Sequence, residues 1–418
     1  MLADAGRMGL GLLATATWEG KQTVSGGSVG WIALVACALA VVPAGIRWLR
    51  VAQREHYLPG SVSRFAWRWW TSRPSGILLG IAAVACCAAS VQLPIFAIGA
   101  AITAAAGPIG LTLRGRTSPL VWTPRLTRLA VVSLVLEAAI VAVLGVILRV
   151  PVVAAVSVLA LPRIIDVGCL VASPIEKHLL NPHVERAKDR IGLVGPRIVA
   201  VTGSYGKTST KHAIAHMLSG SAVVVASPAS FNNRAGLARA INEHLAPGTQ
   251  IFIAEMGTYG PGEIAELCQW LDPEVAVITA IGPVHLERFG SEDRVLEAKS
   301  EIVAGCRVAV LATDDPRLAG LADRLSGQGR QVVRCQTTEA IAETGGVTVV
   351  VERTGGPSGP LRVSVDGNVL ADGLKSDARE SNLACAVGAV IALGFPVEQV
   401  QQAVSRIETI PSTSHRLE

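Results

Sequence analysis

The sequence predicts a molecule in two parts: a multi-pass α-helical membrane domain followed by an α/β domain with a mainly parallel sheet. Two observations carry the first part. Of the 418 residues, 50% are hydrophobic and only 17% are charged, and the mean hydropathy is +0.46, too apolar for an ordinary soluble protein of two or three domains. The apolar character is also uneven, since every long apolar run lies before residue 175. The second part rests on the stretch from Arg197 to Lys211, where a short β-branched run enters a glycine turn and leaves it as a helix.

Taken in order, residues 1–28 form an N-terminal segment whose charges nearly balance and whose apolar patch is too short for a cleaved signal peptide. A membrane domain of about five transmembrane helices is expected over residues 29–172, with spans at 29–46, 76–91, 93–113, 129–148 and 150–172. Each run is near the roughly 20 residues that cross a hydrocarbon core of about 30 Å. Trp31 and Trp48 sit near the ends of the first, where indole rings favour the interface. Charge orients the spans. Arg47, Arg50, Arg54, Arg64, Arg68 and Arg73 face only Glu55 in the first long connection, and Arg114, Arg116, Arg125 and Arg128 face no acid in the second. Positive loops stay in the cytoplasm, so the N-terminus is expected outside and the chain after residue 175 inside.

The net charge of +5 is therefore read as membrane topology, and no nucleic-acid partner is expected. Interleaved Trp and Arg between Phe65 and Trp70 suit a helix lying at the membrane interface. Eight cysteines without a C-x-x-C pair are expected to be reduced structural thiols. Ionisable groups inside a bilayer are costly, which singles out Glu137, Arg163 and Asp166. With antiparallel fourth and fifth spans, Glu137 and Arg163 both fall roughly 12 to 14 Å deep and could pair. Two alternatives stand beside this: Pro162 ends the fifth helix early and leaves Arg163 and Asp166 at the interface, or the three residues bind a lipid-linked head group. Residues 173–195, punctuated by Pro174 and Pro182, read as a linker with a charged helical stretch around 184–190.

From residue 196 strands and helices alternate, as a parallel sheet covered on both faces requires. Strands are expected at 198–201, 222–226, 250–254 and 275–279, with helices at 207–218, 237–244, 262–270 and 294–304 between and after them. A β-rich excursion over 331–374 and a helix over 380–393 follow. Gly203 and Gly206 bracket a turn that can curl around an anion, with the positive end of the next helix facing it. Lys207 is placed to reach β- and γ-phosphates and the Thr208 hydroxyl to ligate Mg²⁺. The loop is a shorter variant of the P-loop, because Val201 stands where the usual first glycine would be.

Thr202-Gly-Ser-Tyr-Gly-Lys-Thr-Ser-Thr-Lys211, Ser230-Phe-Asn-Asn-Arg-Ala-Gly236, Glu255-Met-Gly257, His285 within residues 278–291, and Glu297-Ala-Lys-Ser-Glu-Ile302 together resemble the central domain of the Mur ligases. The resemblance implies an ATP-binding domain over residues 196–411 that uses ATP and Mg²⁺. It implies ATP contacts from Gly203, Ser204, Tyr205, Gly206, Lys207, Thr208, Ser209, Asn232, Asn233, Asn382 and Arg416. It also implies metal ligation by Thr208, Glu255, His285 and a carbamoylated Lys299, with Lys207, Lys299 and His285 as the catalytic groups. The chain departs from the family where Ala378 and Arg379 replace a His-Asn pair ahead of Asn382. Residues 412–418 resemble the hinge to a C-terminal ligase domain, so the polypeptide is expected either to be truncated there or to depend on another chain for that domain.

The function implied by that resemblance is a membrane-anchored, ATP-dependent ligase of cell-wall precursor synthesis, facing the cytoplasm, which activates a carboxylate as an acyl phosphate. Its partners would be a precursor, lipid-linked in the sharper form, and an amino acid or dipeptide amine donor. Two alternatives remain open: addition of D-alanyl-D-alanine to a UDP-linked muramoyl tripeptide, and a non-catalytic ATP-binding membrane scaffold.

Overall fold

The computed structural model describes residues 28–107, 109–112, 119–228, 231–284, 289–338 and 346–410. The chain divides into two units, Met1–Leu179 and Leu180–Glu418.

The first unit is helical. Its elements are α1 (Ser28–Arg54), α2 (Ser61–Thr71), α3 (Pro74–Ser90), α4 (Phe96–Ala106), α5 (Pro124–Ile147), α6 (Val150–Leu159) and α7 (Leu161–Val194), the last running on into the second unit. Small side chains fill the inter-helix contacts: Ala33, Cys37, Ala40 and Ala44 of α1, and Ala97, Ala100, Ala101 and Ala104 of α4. Large apolar residues such as Ile32, Val35, Leu39 and Val42 face outward. That inversion is how helices pack in lipid, where small residues let backbones approach and Leu or Ile meets the acyl chains. Two helices, α1 and α5, are long and apolar enough to cross a membrane, and up to four spans result if each bent pair counts as one. The unit is thus a multi-pass membrane region.

Several boundaries differ from the sequence expectation. The expected third span contains only α4, whose 11 residues rise about 16 Å. The expected fifth span is broken by 73° between α6 and α7, at Ala160 just ahead of Leu161-Pro162. The expected linker at 173–195 is helical throughout, as part of the 34-residue α7. Pro174 and Pro182 each remove one backbone donor there without ending the helix.

The expected trio is also dispersed. Arg163 is exposed, and no ion pair joins it to Glu137 among the described residues. Glu137 is buried, with its Oε2 lacking a hydrogen-bond partner. Asp166 is buried and accepts from Val62 N (3.1 Å), Ser63 N (2.8 Å) and the Ser63 hydroxyl. It caps α2, so the three residues do not form one site.

The second unit is a nine-stranded sheet in the order β2-β3-β1-β4-β5-β6-β7-β8-β9. The strands are β1 (Arg197–Thr202), β2 (Val224–Ala226), β3 (Ile251–Glu255), β4 (Val275–Ile278), β5 (Val308–Ala312), β6 (Gln331–Gln336), β7 (Val347–Arg353), β8 (Leu361–Val365) and β9 (Asn368–Leu374). From β2 across to β7 the pairing is parallel, and the last two strands are antiparallel. The excursion expected over 331–374 is therefore an extension of the main sheet. Sequence reading passed over β5 and the helix Pro316–Gly327 that follows it.

β3, β4 and β5 are buried at every position, as strands covered on both faces are. Helices α8 (Lys207–Leu218), α9 (Arg234–His244), α10 (Glu263–Leu271), α11 (Glu292–Ser300), α12 (Pro316–Gly327), α13 (Glu380–Ala392) and α14 (Val397–Ser405) accompany the sheet. Gly388 lets α13 lie close on it, because a Cβ there would stand 2.8 Å from Cys335 Sγ and 2.9 Å from Val310 Cγ1. β1 lies between β3 and β4, where the strand order reverses, and ligand crevices form at the carboxyl ends of strands around such a point.

Candidate nucleotide site

The site begins at the carboxyl end of β1. The turn 203–206 is stapled to the segment following β4. Ser204 N donates to Ala280 O (2.8 Å), Gly282 N donates to the Ser204 hydroxyl (2.9 Å), and the Thr279 hydroxyl donates to Tyr205 O (2.5 Å) and Thr202 O (3.2 Å). Gly206 has φ +81°, and a Cβ on it would fall 2.1 Å from Asn382 Oδ1. A side chain is excluded both by conformation and by space. Helix α8 starts at the next residue, so its free N–H groups and dipole lie at the turn.

The parallel register sets Val201 beside Glu255, which brings one carboxylate to the loop. Glu255 is buried. Its Oε2 accepts from the Thr208 hydroxyl (2.9 Å) and pairs with Lys211 Nζ (3.0 Å), and its Oε1 accepts from Asn232 Nδ2 (3.4 Å). The Ser227 hydroxyl accepts from Glu255 N (3.1 Å). An expected hydroxyl, an expected carboxylate and an expected amide thus meet at one point.

Two lysines converge from different helices on one carbonyl. Lys207 Nζ donates to Gly203 O at 2.8 Å, and Lys299 Nζ donates to the same oxygen at 3.0 Å. Burial lowers the Lys207 ammonium below its usual value, against the pull of Glu255. Lys299 is pushed down to about 7, first by burial and then by the positive charge of Lys207. At neutral pH a large share of Lys299 is a free amine, which is nucleophilic.

Other expected residues have mixed fates. Gly203, Ser204, Tyr205 and Gly206 form the turn, and Thr208 and Ser209 stand in the first turn of α8. Asn233 is the N-cap of α9, its side-chain oxygen accepting from Gly236 N at 2.9 Å. Its amide oxygen therefore has a local structural partner. Asn382 packs against Gly206, and its backbone oxygen accepts from the Thr210 hydroxyl (3.5 Å). His285 and Arg416 lie outside the described residues.

Sequence reasoning missed Lys211, a lysine whose side chain is fully buried. The available signal was its helical face. Lys211 falls in line with Ile214 and Leu218 on the buried stripe of α8, and a lysine there requires a carboxylate from another element. Thr279 and Ser227 were missed as well, since a hydroxyl after a strand carries no distinctive pattern.

The donor set can be tested against Mg²⁺ and a nucleotide. Among the described residues no group of three His, Cys, Asp or Glu side chains could hold a metal. An all-protein cage is therefore absent among them, but Mg²⁺ characteristically takes one or two protein oxygens and completes its shell with phosphate and water. Thr208 and Glu255 fit that role. The narrow Gly206 turn, the start of α8 and the Lys207 ammonium fit a phosphate chain.

These features define a nucleotide-binding α/β domain of the P-loop kind. Residues 201–363 match the Mur ligase middle domain. It is similar to the UDP-N-acetylmuramoyl-tripeptide–D-alanyl-D-alanine ligase of Mycobacterium tuberculosis (strain ATCC 25618 / H37Rv), with 31% identity over 231 residues covering 54% of this chain and 43% of that one. The enzyme of the same name from Bacillus subtilis (strain 168) is 37% identical over 135 residues, covering 32% and 29%. Among solved structures, the MurF ligase of Thermotoga maritima in complex with ADP aligns with a TM-score of 0.44 and 27% identity over 54% of this chain and 52% of that one. The chain spans less than half the length of these curated relatives.

Proposed function

We propose that this chain supplies the membrane anchor and the nucleotide-binding domain of an ATP-dependent, amide-forming ligase of peptidoglycan precursor synthesis. The observation that carries the reading is the convergence of Lys207 and Lys299 on Gly203 O beside the Thr208–Glu255 pair, within a domain of Mur ligase type. ATP with Mg²⁺ would supply a transferable phosphoryl group for activating a carboxylate as an acyl phosphate.

The chain's own groups provide the surroundings for that transfer. Lys207 neutralises phosphoryl charge, and Thr208 and Glu255 offer the metal one hydroxyl and one carboxylate oxygen. Lys211 holds Glu255 in place from behind. The Ser204–Gly282 and Thr279–Tyr205 bonds fix the turn before ligand arrives, so no ordering is required at the moment of reaction. Lys299, neutral in large part near pH 7, can add CO₂ and become a carbamate, which replaces a cation by an anion able to support a second metal with His285.

For the acceptor, the named relatives favour a UDP-linked muramoyl tripeptide and D-alanyl-D-alanine as amine donor. A lipid-linked acceptor is the second reading, favoured by the multi-pass membrane unit that precedes the ligase-like domain. On either reading the ligase domain faces the cytoplasm. The test is Mg²⁺-dependent ATP binding and phosphate release by the detergent-purified chain, wild type against Lys207→Ala, with each precursor in turn. Loss of charge-assisted phosphate contacts is expected to weaken ATP binding at least about 10-fold, from ~1.5 kcal/mol or more. Release stimulated by one precursor names the acceptor. ATP binding without release under any condition means either that a C-terminal ligase domain must be supplied or that the nucleotide serves a structural role, as in the scaffold reading.

A further inference from the structure

We infer that α2 is a docking face for an anionic phospholipid leaflet, held in the membrane plane by the buried carboxylate of Asp166. The corner between α2 and α3 sets the direction of α2. Arg73 precedes Pro74, a position from which the helical conformation is disfavoured, and its backbone is extended at φ −131°, ψ 143°. The chain turns there by 108°. With α3 directed into the bilayer, α2 runs across that direction for about 16 Å.

The other end of α2 is fixed as well. Its first turn has no cap from its own chain segment, and Asp166 supplies one from α7, taking both Val62 N and Ser63 N. A buried carboxylate on free helix N–H groups is a strong anchor. It determines which face of α2 turns outward.

That face is Arg64, Trp67, Arg68 and Thr71, at the i, i+3, i+4, i+7 spacing of one helical stripe, and all four are exposed. Trp67 is 73% exposed, whereas its neighbours are engaged: Trp69 donates to Ile109 O (3.2 Å) and stacks with Phe65, and Trp70 packs where a Cβ on Gly107 would stand. An indole left outward between two arginines suits the headgroup layer, with the ring at the acyl boundary and guanidinium groups on phosphates. Arg73, over the Trp69 ring at 5.9 Å, extends the positive surface. Residues 60–73 contain no acid to oppose it. Arg47 and Arg50 belong to a different role, since they donate to the carbonyls of Ala105 and Gly107 and of Thr112 respectively. Arg64 and Arg68 of α2, with Arg73 just beyond it, make up the exposed positive face. Charge complementarity therefore selects anionic headgroups over zwitterionic ones.

The experiment uses the full chain in nanodiscs containing brominated phosphatidylglycerol or brominated phosphatidylcholine, with tryptophan fluorescence quenching as the readout. Wild type is expected to be quenched preferentially by phosphatidylglycerol, and Trp67→Phe to lose most of that preference. Arg64→Gln and Arg68→Gln are surface changes that leave the core untouched, and each is expected to reduce the lipid preference about 5-fold, the factor given by ~1 kcal/mol per basic residue at an anionic surface. Raising salt to 1 M should shrink the preference in wild type and have less effect in the double variant. Equal quenching by the two lipids in wild type would overturn the inference, as would an unchanged preference in the double variant. Saturable one-to-one quenching by a brominated polyprenyl phosphate at low mole fraction, without a graded response to phosphatidylglycerol, would assign the face to a lipid carrier and also overturn it.

Discussion

Two ammonium groups on one carbonyl repel each other, and the more deeply enclosed of them gives up its proton first. Lys299 is that group, with its pKa brought to about 7 by burial and secondarily by Lys207. The direction decides the chemistry. Below about pH 7 the side chain is a cation and inert toward CO₂. Above it the Nζ lone pair can attack the carbon of CO₂, and one N–H proton leaves to solvent as the carbamate forms. With dissolved CO₂ held constant, a ¹³C carbamate signal is expected to rise between pH 6 and 8, with its midpoint near 7, and to vanish in Lys299→Met. Removing the charge at Lys207 by Lys207→Met should move the midpoint upward, because the repulsion that favours the neutral amine is gone. A midpoint near 10 in wild type, or a signal that persists in Lys299→Met, would refute the assignment. The same shift makes folding stability rise with pH from about 7 toward 10.5, the ordinary value for a lysine, since the unfolded chain binds that proton more tightly.

At the scale of elements, the strand–turn–helix unit depends on a contact between parts far apart in sequence. Gly206 occupies the left-handed region and abuts Asn382 of α13. Gly206→Ala is expected to cost about 1–2 kcal/mol for backbone conformation alone, and more from displacing Asn382. ATP affinity, measured by calorimetry, should fall at least about 10-fold, as ~1.4 kcal/mol corresponds to one decade. Combining it with Asn382→Ala should be less damaging than the sum of the single changes, because the shared clash is relieved. Additive losses would mean that the two residues do not meet. The glycine was legible from sequence through its place in a motif; its partner's position was not, because the contact joins helices far apart in sequence. Local patterns likewise revealed β1, β3 and β4 but passed over β5, whose run Val308–Ala312 is buried as fully as theirs. Periodicity cannot separate a short buried strand from a piece of buried helix. Asn233 suits a ligand contact and a helix cap equally by type, and the bond from Gly236 N shows that its side-chain oxygen serves the cap. Asp166 was noticed as an ionisable residue near the membrane, but its use as a cap for a helix about a hundred residues earlier had no sequence signature.

For the whole molecule, the remaining question is which way the membrane unit is threaded, and the short α4 bears directly on it. With only 11 residues, α4 is too short to cross a core of about 30 Å as a helix by itself. Its partner α3 has 17 residues and reaches α4 through the turn at Gln92–Pro94. Either both helices take the chain across and back, with non-helical flanks completing the second passage, or both enter and return on one side. A single crossing by the pair would leave Arg125 and Arg128 on the face opposite Arg47, Arg50 and Arg54, against the positive-inside bias. Both permitted arrangements make the same parity: α1, α5 and the bent α6–α7 pair contribute an odd number of passages, and α3 with α4 adds two or none. The N-terminus is therefore expected outside and the ligase domain in the cytoplasm. An epitope placed at the N-terminus should be removed by protease added to intact spheroplasts while a C-terminal epitope survives, and the pattern should reverse in inverted vesicles. Protection of both epitopes in spheroplasts would require an even number of passages. It would also place the nucleotide domain and the N-terminus on one side, so that one further segment must cross or one of these three must not.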